Sequence, residues 1–236
     1  MLALSHEAHE ASAAPAALTF RAARAADAAA AAPLVYASGE REFRFFLGVS
    51  SDACVAFLRD AFALSAGRFS WRRHRVALDA SGKVIGVLAA HDGRDVLADD
   101  PHIAWILLRY FGLRRTVPML LRGLVLEQEL PKPKRRQTRV AHCAVAPTMR
   151  GTGVFRELFG DAQRTGMRGL AGEPDEREIV LDVLVSNTRA AALYRRLGFV
   201  EVARRRARSR CLPVDLESIR MRYDPRGGVR QIRLPD

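Results

Sequence analysis

The sequence predicts an α/β domain, and three observations carry that prediction. Two apolar runs flank Ala80-Ser81-Gly82 in "HRVALDASGKVIGVLAAHDG", the pattern of a β-hairpin. Two later apolar runs, "TRVAHCAV" and "IVLDVLV", read as strands, and each is followed by a segment whose apolar residues recur at helical spacing. Between the first of these strands and its helix lies "VAPTMRGTGVF", from Val145 to Phe155, where an arginine and two glycines mark the joint.

Taken in chain order, residues 1–17 read as a disordered leader, 18–225 as a single domain and 226–236 as an irregular tail. "LTFRAA" is a short strand. "ADAAAAAPLVYASG" is a helix capped by Asp27, with Pro33 inside it or at a kink. A second helix covers about 51–64, capped by Ser51 or Asp52, and the hairpin follows at 74–92. Residues 99–130 form a helical insertion, broken near Gly112 and Pro118, apolar on one side and basic on the other. It reads as helices packed on the body, with a lid or dimer surface as the alternative. The linker "PKPKRRQ" leads into "TRVAHCAV", the glycine joint, a helix to about Gly166, a charged loop "GEPDERE", the strand "IVLDVLV", the helix "TRAAALYRRLG", a strand from Phe199 and a last strand "SIRMRYD".

Composition excludes several classes. A chain of 236 residues with 49% hydrophobic content can bury a large core, so general disorder is not expected. No apolar run is long and uncharged enough to span a bilayer, and the N-terminus lacks the basic start and apolar centre of a signal peptide, which points to a soluble, cytoplasmic protein. Three scattered cysteines, Cys54, Cys143 and Cys211, suggest neither a disulfide framework nor a zinc site. His6 and His9 are three apart, whereas a zinc-protease helix needs four, so no metal is expected. A formal charge of +12 favours anionic partners. Arginine is abundant throughout, so this charge by itself does not indicate nucleic acid.

The glycine joint has its own chemistry. A helix begins with unpaired N–H groups and the positive end of its dipole, which suits a phosphate. Gly151 and Gly153 let an anion approach the backbone, and Arg150 adds charge at the rim. The pattern is neither a P-loop nor a three-glycine dinucleotide fingerprint. Downstream, "LDVLVSNTRAAALYRRLGF" ends a strand at Asn187 and places Asn187 and Tyr194 on one helical face. Tyr194 is either a proton donor or a core tyrosine with a satisfied hydroxyl.

Together these residues resemble a known family. Val145-x-Pro147-x-x-Arg150-Gly151-x-Gly153 resembles the acyl-CoA-binding motif of the GCN5-related N-acetyltransferase (GNAT) family, and Asn187 to Phe199 resembles its next conserved segment. The resemblance is firm over 138–199. It implies a mixed, mostly antiparallel central sheet splayed between its fourth and fifth strands, helices on both faces, and acetyl-CoA in the gap as cosubstrate. On that resemblance the backbone of Arg150, Gly151, Thr152, Gly153 and Val154 holds the CoA pyrophosphate, and that of Cys143, Ala144 and Val145 pairs with the pantetheine amides. Asn187 contacts the pantetheine arm or the acceptor, and Tyr194 protonates the departing thiolate. Phe155 departs from the family, which has a small residue there. It either narrows the pyrophosphate seat or points into the core.

The reaction implied is direct acetyl transfer from the CoA thioester to a primary amine. His142, in the strand beside the cradle, is the candidate base, because its ordinary pKa suits the task. Asp182, Glu127 and Glu129 are further carboxylates to consider, Asp182 more simply as the partner of an arginine such as Arg189. The run Ala203 to Arg210 reads either as an anion site or as an exposed basic strand. The alternative to an enzyme is a non-catalytic module that holds CoA or another anion on the same fold. Expected partners are acetyl-CoA and an amine, with neither nucleic acid nor membrane, and a homodimer is left open.

Overall fold

The computed structural model describes residues 18–170, 177–202 and 211–225. The leader, the tail and the Ala203 to Arg210 run lie outside these residues, as does most of the charged loop. Among the described residues, seven strands form one sheet in the order β1-β2-β3-β4-β5-β7-β6. They are β1 (Thr19–Ala22), β2 (His74–Leu78), β3 (Val84–Asp92), β4 (Gln137–Val145), β5 (Glu178–Leu184), β6 (Phe199–Glu201) and β7 (Ser218–Tyr223). Every pairing is antiparallel except β4 with β5.

Alternation along the central strands sorts side chains onto two faces. Val76, Leu78, Val84 and Val87 enter one core cluster, whereas Ala77, Ile85, Leu88 and Ala90 enter the other. The first cluster is closed by α1 (Ala28–Ala37), α2 (Glu40–Leu47), α3 (Ser51–Ala63), α4 (Val96–Phe111) and α5 (Leu113–Glu129). The second is closed by α6 (Val154–Arg164) and α7 (Thr188–Arg196). Helices therefore cover both faces of the sheet, so β3 is buried along its whole length.

Several expectations shift in detail. Asp27 precedes α1 but does not cap it. Its carboxylate is held by Arg21 at 2.7 and 2.8 Å and by the Arg24 N–H at 2.7 Å. Ser50, not Ser51 or Asp52, caps α3 by accepting from the Ala53 N–H at 3.4 Å. The helical insertion breaks at Gly112, where φ is +74°, but runs through Pro118. An interior proline forfeits one hydrogen bond, and the helix around it buries Thr116 and Met119. The insertion packs inward through Ile103, Ile106, Leu107 and Met119, while Trp105, Leu108, Leu113, Val117, Leu121 and Leu124 remain exposed. The helix α2, rich in phenylalanine and arginine, is an element the sequence reading did not assign. No helix among the described residues is long and apolar enough to cross a membrane.

Candidate active site

The site begins where two parallel strands stop pairing. β4 and β5 are joined only at Gln137–Glu178, Thr138–Ile179 and Arg139–Val180. Beyond that rung β5 stays with β7, and β4 stays with β3. The edge of β4 from Val140 to Val145 thus faces the gap without a strand partner, which leaves main-chain donors and acceptors for an extended ligand.

The glycine joint closes the upper end of that edge. Pro147 to Met149 make one tight turn, and α6 starts after Gly153. Gly151 and Gly153 have φ of +88° and +91°, and a Cβ added at either would meet nothing within 4 Å. The conformation is what excludes other residues there, and the space beside each glycine is open. The N–H groups of both glycines donate to no backbone acceptor among the described residues, and no side chain caps α6. Arg150 is exposed and donates from Nε to the Val145 carbonyl at 3.3 Å. Thr152 Oγ1 donates to the Met149 carbonyl at 2.8 Å. Phe155 is buried among core residues, its ring 6.5 Å from Phe159 and edge-on to Tyr194 at 6.0 Å. The phenyl ring turns away from the open side of the turn.

A bulge distributes the next residues. Val87 pairs with Ala144 and Ala89 with Ala141, so two residues of β4, His142 and Cys143, oppose the single Leu88. His142 takes φ of +50°, a costly conformation for a residue with a Cβ. Cys143 packs with the second core cluster beside Tyr194, close enough that each shifts the other's proton affinity. Burial pushes the Cys143 thiol up to about 12, and burial followed by the neighbouring Cys143 lifts the Tyr194 phenol well above its ordinary value. At neutral pH the phenol keeps its proton, and the cysteine is no nucleophile.

His142 lies on the other face. Its ring stacks on His74 at 5.1 Å and Phe69 at 5.5 Å, with Phe43 of α2 at 6.1 Å and His91 edge-on at 5.5 Å. Burial first, then the neighbouring His74, holds its pKa well below the usual histidine value. Hydrogen bonding fixes its tautomer. His74 Nδ1 lies 2.8 Å from the Ser70 carbonyl, which only accepts, so Nδ1 carries the proton. His74 is neutral, because burial pushes it down to about 4, so its Nε2 is a lone pair. That atom is 3.0 Å from His142 Nδ1, which must therefore donate. The basic nitrogen of His142 is thus Nε2. The expectation of an ordinary histidine pKa is corrected: the ring is kept neutral by burial.

Other expected residues settle into structural roles. Asn187 caps α7, its Oδ1 accepting from the Ala190 N–H at 3.1 Å, which leaves its amide nitrogen for any ligand. Asp182 is anchored by Arg220, not Arg189, through bonds of 2.9 Å to each carboxylate oxygen. Glu129 is buried and accepts from the Ser218 N–H at 2.8 Å, tying α5 to β7. Glu127 faces Lys132 at 3.2 Å and Arg68 at 4.0 Å. Among the described residues no cluster could hold a metal ion. His74, His91 and Arg139 escaped the sequence reading, since no motif contains them. His74 opens a strand and the others lie inside strands, so only pairing brings the three together.

Solved structures with the same fold include an acetyltransferase, with a TM-score of 0.59 at 18% identity over 87% of this chain and 98% of that one. An N-acetyltransferase from Staphylococcus aureus Mu50 gives 0.60 at 16% identity over 86% and 99% of the two chains. Among curated proteins, none matches the sequence. The acetyltransferase (GNAT) family matches residues 40–199, a span that holds the parted strands, the glycine turn and Tyr194. This chain belongs to the GNAT acetyltransferase family.

Proposed function

We propose that the protein is an acetyl-CoA-dependent N-acetyltransferase that moves an acetyl group directly from the thioester to a primary amine. The observation that carries this reading is the parting of β4 and β5 after Arg139 and Val180, with the open glycine turn at the end of the same β4 edge. The main-chain groups of Cys143, Ala144 and Val145 suit the pantetheine amides, and the turn from Arg150 to Val154 suits the pyrophosphate. The amide of Asn187 is on hand at the start of α7.

Proton traffic then follows from the two faces of β4. His142 Nε2 takes a proton from the attacking amine as the C–N bond forms, and Tyr194 gives its proton to the sulfur as the C–S bond breaks. The tetrahedral oxyanion between these steps needs main-chain N–H donors, which the unpaired β4 edge supplies. Holding both reactants in one cleft converts a bimolecular encounter into an effectively unimolecular one.

The test combines CoA binding and thiol release. The natural protein should bind CoA and release thiol from acetyl-CoA when a panel of primary amines is added. Gly153→Val, which places a branched side chain at a φ of +91°, should weaken CoA binding at least tenfold. Unchanged CoA affinity in that variant would remove the cradle. Tight CoA binding without turnover of any amine would instead indicate a binding module.

A further inference from the structure

Two shielded side-chain nitrogens near the parted strands lack hydrogen-bond partners among the described residues. Arg139 Nε is shielded from solvent and has no hydrogen-bond partner among the described residues. Burial pushes the Arg139 pKa down to about 10, against the pull of Asp182 and Glu127. His91, only 4% exposed, likewise has an Nε2 without a partner. Both residues line one small open pocket, together with Arg68, Asp99, Glu127 and Lys132.

The acids nearby are already engaged. Asp99 takes Arg73 at 2.8 Å, Glu127 takes Lys132 at 3.2 Å, and Asp182 takes Arg220 at 2.9 Å. Asp182 and Glu127 attract Arg139 through space but are in contact with other cations, which leaves its Nε open to an added anion. Its position says how that anion would be used. Arg139 pairs with Val180 at the last rung before the strands part, and with His91 across β3. His91 in turn meets His142 with ring centroids 5.5 Å apart. An anionic group seated on Arg139 and His91 is thus within a residue's reach of the nitrogen that accepts the amine's proton.

We propose that this pocket seats the carboxylate of the acceptor, and that the acceptor is a small zwitterion with its amine close to that carboxylate, of the α-amino-acid type. This inference rests on the acetyltransferase reading above for the role of the amine. The pocket itself can be tested without turnover. A polyamine fits poorly, because Arg68, Lys132 and Arg139 outnumber Asp99 and Glu127 on the pocket wall. Arg139 is a positioning residue, since it holds the acceptor without touching the bond that changes.

The test is calorimetric titration of the CoA-saturated protein with each of the common amino acids and with the matching amino-acid amides. At least one acid should bind, and its amide should bind at least tenfold more weakly. Arg139→Gln should weaken binding of that acid at least tenfold, leave the amide unchanged, and raise the melting temperature, because a shielded Nε without a partner is removed. A purely structural arginine would lower it. Arg139→Lys should retain intermediate affinity. Failure of every amino acid to bind, equal binding of acid and amide, or unchanged binding in Arg139→Gln would each overturn the proposal. Should Arg139→Gln fail to fold, the acid-against-amide comparison in the natural protein still decides. Acetylation of carboxylate-free amines as fast as amino acids would sink this proposal and leave the transferase reading standing. Absence of CoA binding would sink the transferase reading, and titration without CoA would still judge the pocket.

Discussion

On one face of β4, Cys143 and Tyr194 sit among the rings of Phe155, Phe159 and Phe199; on the other, His142 lies against His74 and His91, with Arg139 at the foot of the gap. Burial dominates the chemistry of both faces, yet it leaves them in opposite proton states. Desolvation disfavours the charged form of any group. A phenol is neutral with its proton and an imidazole is neutral without one, so the same physical effect yields an acid on one side and a base on the other. The bulge that sets His142 and Cys143 opposite Leu88 keeps the two side chains on their separate faces.

The comparison breaks most visibly at Phe155. If its ring belongs to the apolar face, Phe155→Ala should cost about 3–5 kcal/mol of stability, as for other buried aromatics. Denaturant unfolding measures that loss, while CoA affinity of the folded variant should stay within about twofold, on the order of 0.4 kcal/mol. A large loss of affinity with little loss of stability would place the ring in the cofactor seat instead.

A smaller effect is expected from Tyr194→Phe. Losing a positioned acid should lower kcat about a hundredfold, worth about 2.7 kcal/mol of barrier. Acetyl-CoA affinity should hold, and unchanged turnover would assign the hydroxyl to its contact with Cys143 alone.

The polar face is sharpened by pH. His74, His91 and His142 all have folded-state pKa values below the unfolded value, His74 at about 4. Between those values and the unfolded pKa near 6.5, the unfolded chain binds more protons, so stability is full above about pH 6.5 and falls as pH drops. Each histidine contributes a slope of up to about 1.4 kcal/mol per pH unit. Unfolding midpoints at a series of pH values should show this slope, and His142→Ala should make it shallower. In turnover the acid limb of kcat/KM should lie well below pH 6.5 and disappear in His142→Ala. A limb that survives would dismiss His142 as the base.

Much of the fold was legible because its signals are local. The hairpin around Gly82, the strand into Val145, the glycine turn and the helix from Thr188 each announce themselves through period or through turn chemistry. α2 was not legible: its eight residues mix arginine with phenylalanine, and the buried Phe43 and Leu47 make only a short stripe. Its importance comes from contact, since Phe43 walls one side of His142. The partner of Asp182 was misjudged for a related reason. Arg189 is nearby in sequence, but Arg220 is directly opposite on the neighbouring strand.

By itself the sequence determined the strand order along the chain, the glycine positions that demand positive φ, and the family whose motif they carry, because each depends on residues within one or two turns of each other. The tertiary structure decided which charges are satisfied and which nitrogen is basic. The tautomer of His142 depends on Ser70 through His74, and the open Nε of Arg139 depends on which cations the nearby carboxylates contact. Such properties belong to a network of distant residues, and burial sets their energies, so no stretch of sequence contains them.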